Sequence, residues 1–491
     1  MYSLGIDVGS SSVKVALLDI ESGRCVCSAS NPKQEAPIKS PEKGFAEQDP
    51  RSWWEYMSEG VREMAAKGFS MSDVRSIGIS YQMHGLVAVD RDNRPVRDAI
   101  IWCDSRAVGI GEEALNGIGY DECMTRLLNS PGNFTASKLA WVKRNEPDVY
   151  ARTSRFMLPG DYIAYLLSGE LSTTATGLSE GILWDFKNGC RADFVADYFG
   201  IDHDKFCPIV PAIGNDIRTN AATQEALGIP AGTPISYRAG DQPNNAFSLN
   251  VLEPGEIAAT GGTSGVVYGV TDLPKADLHS RVNTFLHVTP SKEQRMGVLL
   301  CINGTGIMNA WTRRNVAPDL TYNQMNELGQ TVPVGCEGLT VLPFGNGAER
   351  VLCNKNVGAR FCGVDLVRQN RAHVIRAVHE GIAFSFKYGI DIMKDLGLQP
   401  NVIHAGEANM FLNPIFRSTL ATLCDSRIEL FDTDGSLGAA RGAALGAGYY
   451  ASAKEAFANL AKTLTVEPEQ SWKAPLEDAY GRWTEELGKL V

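Results

Sequence analysis

Two short turns are built from glycine and hydroxyl side chains, Gly9-Ser10-Ser11-Ser12 and Gly261-Gly262-Thr263-Ser264-Gly265. A loop that wraps a polyphosphate must present bare backbone N–H groups, and both turns can do so, with hydroxyls as extra donors. Lys14 lies just beyond the first turn and offers a positive charge. Read singly, each is no more than a hairpin turn, because glycine and serine dominate turns for conformational reasons. As a pair, they could clamp one phosphate chain between them. Asp7 stands at the end of the strand leading into the first turn, where a carboxylate needs a partner. Magnesium, held through its waters and by phosphate oxygens, would supply one. Asp241, in Gly240-Asp241-Gln242-Pro243, is placed to accept the proton of an alcohol during phosphoryl transfer. An ordinary aspartate, with a pKa near ~3.9, would accept it only late, so orientation is its main expected task. Gln82-Met83-His84-Gly85 and Trp102-Cys103-Asp104-Ser105-Arg106 end two apolar runs with polar side chains beside an apolar wall. Such a surface suits a small neutral polyhydroxyl ligand, with Gln82, Met83, His84, Trp102 and Asp104 as its contacts.

The elements that must position these residues read as alternating strands and helices. Leu4 and Ile6 lead into the first turn, and Val13, Val15 and Leu17 leave it at period two. Pro50 to Ala66 has helical spacing, with Asp49 as N-cap and Pro50 at the first helical position. Apolar strands are expected at Ile77-Gly78-Ile79-Ser80 and at Ala99-Ile100-Ile101-Trp102. The sequence Glu256 to Val270 repeats the opening hairpin: apolar strand, small-residue turn, apolar strand. That echo implies an internal duplication, with a boundary near residue 248 between a half at 1–248 and one at 249–491. The fold class is α/β, with sites along strand C-terminal edges.

Composition excludes several alternatives. A net charge of -11 argues against nucleic-acid backbones and anionic membranes as partners. Eleven cysteines without CxxC pairs read as small buried hydrophobes in a reducing compartment. The seven histidines form no zinc-ligand spacing. No GxxxxGK[ST] loop, no protein-kinase HRD and DFG set and no dinucleotide-binding GxGxxG is present. The N-terminus lacks the pattern of a secretory signal, and no apolar run approaches membrane-spanning length, so a cytoplasmic protein is expected.

Taken together, Asp7 to Lys14, Gln82-Met83-His84-Gly85, Gly240-Asp241 and Thr260 to Gly265 resemble the FGGY carbohydrate kinases. Phe134 to Pro147 is similar to that family's first signature, and Gly363-Val364 with His373 to Gly381 to its second. The motifs stand in family order across almost the whole chain. The resemblance implies two actin-like (ribonuclease H-like) domains flanking a deep cleft, with ATP and Mg²⁺ as cofactors. It implies Asp241 as the catalytic acceptor, Met83 and His84 as sugar contacts, and Asp7 near Mg²⁺. Gly9, Ser10, Ser11, Gly262, Thr263 and Ser264 would lie on the phosphates. Gly304-Thr305-Gly306 and Gly406 with Asn409 would lie near the nucleotide. Gln82 to Gly85 is similar to the pattern of xylulose-phosphorylating members, making D-xylulose the leading acceptor, with ribulose or glycerol kinases as alternatives. An actin- or chaperone-like ATPase is the rival of another class, and it has no obvious use for Gln82 to Gly85 or Asp241. A homodimer is left open. The chain departs from the family pattern at Ser10, at Gln242 to Asn245, at Ala405-Gly406-Glu407 and at His379, where an apolar residue is expected.

Overall fold

A computed structural model describes residues 1–491. The first sheet contains β1 (Tyr2–Val8), β2 (Val13–Asp19), β3 (Arg24–Asn31), β4 (Val74–Tyr81) and β5 (Ile235–Gly240), in the order β5-β4-β1-β2-β3. The second contains β6 (Glu256–Gly261), β7 (Gly265–Thr271), β8 (Asn283–Leu286), β9 (Met296–Ile302), β10 (Val402–Gly406), β11 (Arg427–Phe431) and β12 (Lys462–Val466). Its order is β8-β9-β7-β6-β10-β11-β12.

The two sheets share a five-strand unit. In the first, β3, β2 and β1 run antiparallel to one another, and β1, β4 and β5 run parallel. In the second, β9, β7 and β6 are antiparallel, and β6, β10 and β11 are parallel. The expected duplication is therefore a matched topology, with β8 and β12 added at the edges. Antiparallel neighbours need only the glycine-hydroxyl hairpin between them, whereas parallel neighbours need long crossovers, and the insertions lie there.

Eight helices matter for the site: α1 (Pro50–Ala66), α2 (Thr135–Asn145), α3 (Ala175–Glu180), α4 (Asp241–Ser248), α5 (Gly306–Asn315), α6 (Arg371–Asp395), α7 (Pro414–Cys424) and α8 (Gly435–Gly446). The first begins as its sequence dictates. Asp49 accepts the Arg51 N–H, Pro50 opens the helix, and Trp53, Met57, Val61 and Met64 are buried at helical spacing. Helices α4 and α8 each follow the fifth strand of their repeat, and they pack on one another.

One expectation needs correction. The run Ala99 to Trp102 is not a strand of the main sheet: only Ala99–Ile100 is extended, paired with Glu47–Gln48. Ala99, Ile100 and Ile101 are apolar because they are buried, which a short loop segment can achieve as well as a strand. The cut near 248 falls between α4 and β6, yet α8 packs against β1, β2, β4 and β5 of the first sheet. Glycines make that approach: a Cβ on Gly5 would stand 1.7 Å from the Ser436 carbonyl oxygen, and one on Gly78 1.9 Å from that of Ala439. The hydroxyls of Ser3 and Ser236 donate to the carbonyls of Ala440 and Ala443.

Candidate active site

Asp241 opens α4 directly after β5, with no intervening turn. Gly240 has φ -59, so it is not there to reverse the chain. It is there for space: a Cβ would meet Met83 Cγ at 2.6 Å and Glu180 Oε2 at 3.1 Å. The backbone before Asp241 thus rests on Met83, two segments distant in sequence. Burial raises the half-buried Asp241 carboxyl to about 7, with Asp7 adding to the rise. This corrects the ordinary acidity expected of it. Asp241 also lies within electrostatic reach of Cys301, which pairs with Val266 at the foot of the second glycine-hydroxyl turn.

Asp7 pairs with Lys14 across β1 and β2. Burial raises its carboxyl above the ordinary value; the Ser80 hydroxyl opposes that, and Asp434 adds to it. The Lys14 ammonium is bound to Asp434, the N-cap of α8, so its charge is shared between the halves and not reserved for phosphate. Asp7 Oδ2 would stand 2.5 Å from a Cβ on Gly435, and Asn244 Nδ2 donates to the Gly435 carbonyl at 2.9 Å. Three carboxylates, Asp7, Asp241 and Asp434, interact here with one lysine among them. That surplus of hard oxygen donors fits Mg²⁺ held by a carboxylate, waters and phosphate.

The first turn is held by its backbone carbonyls: Ser10 O accepts from Gln48 Nε2 at 2.7 Å and Ser11 O from Ala36 N at 2.7 Å. Gly9 N donates to Ser12 O. Trp102 is 55% exposed, and its indole N–H reaches Ser10 Oγ at 3.4 Å. In the second turn, the carbonyls of Gly262 and Thr263 accept the N–H groups of Gly306 and Ile307, the first of α5. Gly306 therefore fixes this turn, and its own N–H is committed. Gly261, Gly262, Thr263, Gly306 and Asn409 line one cavity of about 600 Å³, whereas Ser264 and Gly406 do not. Gly406 ends β10 in open space beside it, and Asn409, at φ 53, directs the chain along the cavity wall.

His84 has φ 61 and a neutral ring: burial lowers its pKa to about 3, and Lys138 assists. Its Nδ1 is 2.9 Å from the Glu180 carbonyl oxygen, which only an N–H can satisfy, leaving Nε2 as an acceptor. Phe134 and Phe285 flank the ring at 4.7 and 5.4 Å. Gln82 is buried, with Nε2 3.3 Å from Gln48 Oε1 and Oε1 without a protein partner. Asp104 departs from the expectation of a ligand contact. Its carboxylate is buried and filled by the Ala46 N–H and the Arg106 guanidinium at 2.6 to 3.0 Å.

Two residues escaped sequence reasoning. Lys138, in α2, is fully buried and donates to the carbonyls of His84 (2.8 Å) and Ile101 (3.1 Å), tying together both clusters. Burial lowers its pKa to about 8, with Asp104 opposing. Glu180, at the end of α3, is 2% exposed beneath His84 and Gly240, and burial raises its carboxyl well above the ordinary value. The signal for Lys138 lay in Phe134 to Pro147, where a lysine interrupts a buried helix face. Glu180 had none.

Relatives match across most of the chain. Residues 2–248 match the FGGY family of carbohydrate kinases, N-terminal domain, and residues 257–451 match its C-terminal domain. A xylulose kinase of Bacillus subtilis is 28% identical over 465 residues, covering 92% of this chain and 90% of that protein. The ligand-bound xylulose kinase structure from Lactobacillus acidophilus superposes with a TM-score of 0.90 at 23% identity, over 100% and 98% of the two chains. The glycerol kinase of Plasmodium falciparum with ADP gives 0.89 at 18% identity, again over 100% and 98%. With both family domains matched in order along the chain, this protein belongs to the FGGY family of carbohydrate kinases.

Proposed function

We propose that this kinase transfers the γ-phosphoryl group of ATP to a primary hydroxyl of a ketose, D-xylulose to D-xylulose 5-phosphate. Kinases of this family use ATP with Mg²⁺. The observation that carries the acceptor assignment is the packing of Met83 against Gly240, which brings Gln82-Met83-His84-Gly85 beside Asp241. The xylulose kinase relatives spanning most of the chain support it.

In this reading the ketose lies over Met83, with His84 Nε2 accepting a hydrogen bond from one hydroxyl and Trp102 forming the exposed wall. The reacting hydroxyl oxygen forms a bond to the γ-phosphorus, the bond from phosphorus to the β,γ-bridging oxygen breaks, and ADP leaves with that electron pair. The hydroxyl proton passes to the Asp241 carboxylate. Mg²⁺, held beside Asp7, would neutralise charge on the phosphate oxygens. Asp241, held near neutrality in acid strength, is a better acceptor than an ordinary carboxylate, while the turns and Lys14 contribute position and charge.

The test is ADP release over D-xylulose, D-ribulose and glycerol. The expected result is the highest kcat/KM for D-xylulose. Preference for another polyol would reassign the acceptor, and ADP release indifferent to every sugar would defeat the kinase mechanism proposed. Asp241→Asn should lower kcat by at least roughly 10²-fold, in the range of general-base removal, with ADP affinity retained.

A further inference from the structure

Arg350 is a cation without a counter-charge beside the residues read as the sugar site. It opens the short turn Arg350–Leu352, which packs on β9. The residue before it pins that turn: the Glu349 carboxylate, fully buried, accepts the N–H groups of Asn303 and Gly304 at 2.9 Å each, directly after β9. Of the guanidinium nitrogens only Nε is used, donating to the Ser280 carbonyl at 3.0 Å. The two terminal nitrogens have no protein partner, yet neither is sealed from open space, and the residue stays partly exposed. Asp277, the carboxylate that acts on Arg350, is committed to Arg281 at 2.7 Å. Burial holds the guanidinium below its ordinary pKa, the mark of a charge that lacks oxygen partners. Its surroundings place it. The His84 ring is kept neutral by burial, by Lys138 and then by Arg350. Burial raises the Cys301 thiol to about 11, with Arg350 opposing and Asp241 adding. Cys301 and its cross-strand neighbour Val266 are both partly exposed, and they pack with Met83, Phe134 and Phe285. Arg350 and Asp241 thus act on one pocket wall. They form no ion pair with each other, so a ligand there meets them through different oxygens.

We infer that Arg350 is a specificity-determining residue that reads the α-hydroxyketone end of the acceptor, its terminal N–H groups donating to the C2 carbonyl oxygen and the C1 hydroxyl oxygen. The inference rests on the ketose reading and deepens it. A 2-pentulose closes its furanose ring through the C5 oxygen, so transfer to that oxygen requires the open chain. The open chain carries a free carbonyl beside a hydroxyl. Two oxygens on adjacent carbons suit the planar fork of a guanidinium, which a lysine ammonium does not reproduce. Reducing the carbonyl to an alcohol turns one oxygen out of that plane. A site built around a charged donor then penalises the ligand, because the guanidinium is left desolvated and poorly paired. Arg350 would thereby favour a ketose over the corresponding polyol without touching the reacting hydroxyl.

The experiment is steady-state ADP release by the full chain with three acceptors, each also measured as a competitive inhibitor. They are D-xylulose, xylitol, which is D-xylulose with its carbonyl reduced, and glycerol, which lacks that end altogether. Arg350→Met removes the fork and keeps most of the bulk. Its kcat/KM for D-xylulose should fall roughly 10- to 100-fold, the scale of hydrogen bonds to a charged group, mainly through KM. Xylitol and glycerol should change by less than about threefold, because neither offers the carbonyl, so the preference for the ketose collapses. Tm should drop by a few degrees at most, and ADP affinity should hold. Arg350→Lys should lose most of the preference too, since a point charge lacks the fork. An equal loss with all three acceptors would make Arg350 a prop for the Ser280 carbonyl and overturn the inference. A parent-like preference for D-xylulose over xylitol in Arg350→Met would overturn it as well. An unsubstituted chain that accepts no ketose would instead overturn the acceptor reading beneath it, whatever Arg350→Met does.

Discussion

Asp241 shows how far a residue type alone can be read. Its identity and its Gly240 neighbour suggest a phosphoryl-transfer motif from sequence alone; its acidity cannot be read there, because the causes are burial and Asp7, 234 positions earlier in the chain. The raised value has a kinetic consequence. In the proposed reaction Asp241 must be unprotonated to accept the hydroxyl proton, so kcat/KM should fall as pH drops through about 7, well above the ordinary carboxylate range. His84, neutral down to about 3, adds no limb of its own in that region. Removing the Asp7 charge with Asp7→Asn should move the limb to lower pH as well as lower the rate, and a pH–rate profile of both proteins reads the shift. An unmoved limb would detach it from Asp241. Lys138 makes a second residue-scale case. Lys138→Met leaves the carbonyls of His84 and Ile101 without their buried donor. A loss of about 2–4 kcal/mol in unfolding free energy is expected from two such groups, measured by denaturant midpoint.

Strands and helices were legible where a local rule decides them. The start of α1 at Pro50 follows from its cap, and the β6–β7 hairpin from its period and turn. Ala99 to Trp102 was misread because an apolar run records burial and not pairing. Helix α8 was illegible for the opposite reason. Gly435-Ser436-Leu437-Gly438-Ala439-Ala440-Arg441-Gly442 has small residues on every side, so no apolar stripe announces which sheet it serves. The structure shows the use of that composition: backbone-to-backbone contact with β1 and β4 through Gly5 and Gly78. Gly78→Val places a branched side chain where a single Cβ already meets the Ala439 carbonyl oxygen at 1.9 Å. Neither the central strand nor the helix backbone can retreat cheaply, so a loss at or above ~3 kcal/mol, the upper range of overpacking, is expected in thermal or denaturant unfolding. The same valine at Gly481, with nothing within 4 Å of its Cβ position, should cost far less.

At the scale of the whole molecule, the two repeats are joined by more than a linker. Helix α4 leaves the first repeat and touches β6 and β7 of the second, while α8 leaves the second and covers the first sheet. Asp241 begins one of these helices and Asp434 caps the other, so the carboxylates of the cleft sit on the elements that any movement of the halves must carry. The exchange also decides what each half can do alone. A fragment of residues 1–248 retains all five strands of its sheet but loses Ala439, Ala440, Ala443 and Ala444, which are fully buried in the intact chain. It would leave the glycine-lined face of β1 and β4 open to water, together with the Ser3 and Ser236 hydroxyls that α8 satisfies. An uncovered apolar sheet face of that kind drives association. The fragment should therefore be insoluble or lack a cooperative thermal transition, and co-expression with residues 249–491 should recover a soluble pair, because α8 then returns to its groove. A cooperative, monomeric 1–248 fragment would show that the first sheet carries its own stability and that the crossing helix is an accessory to it.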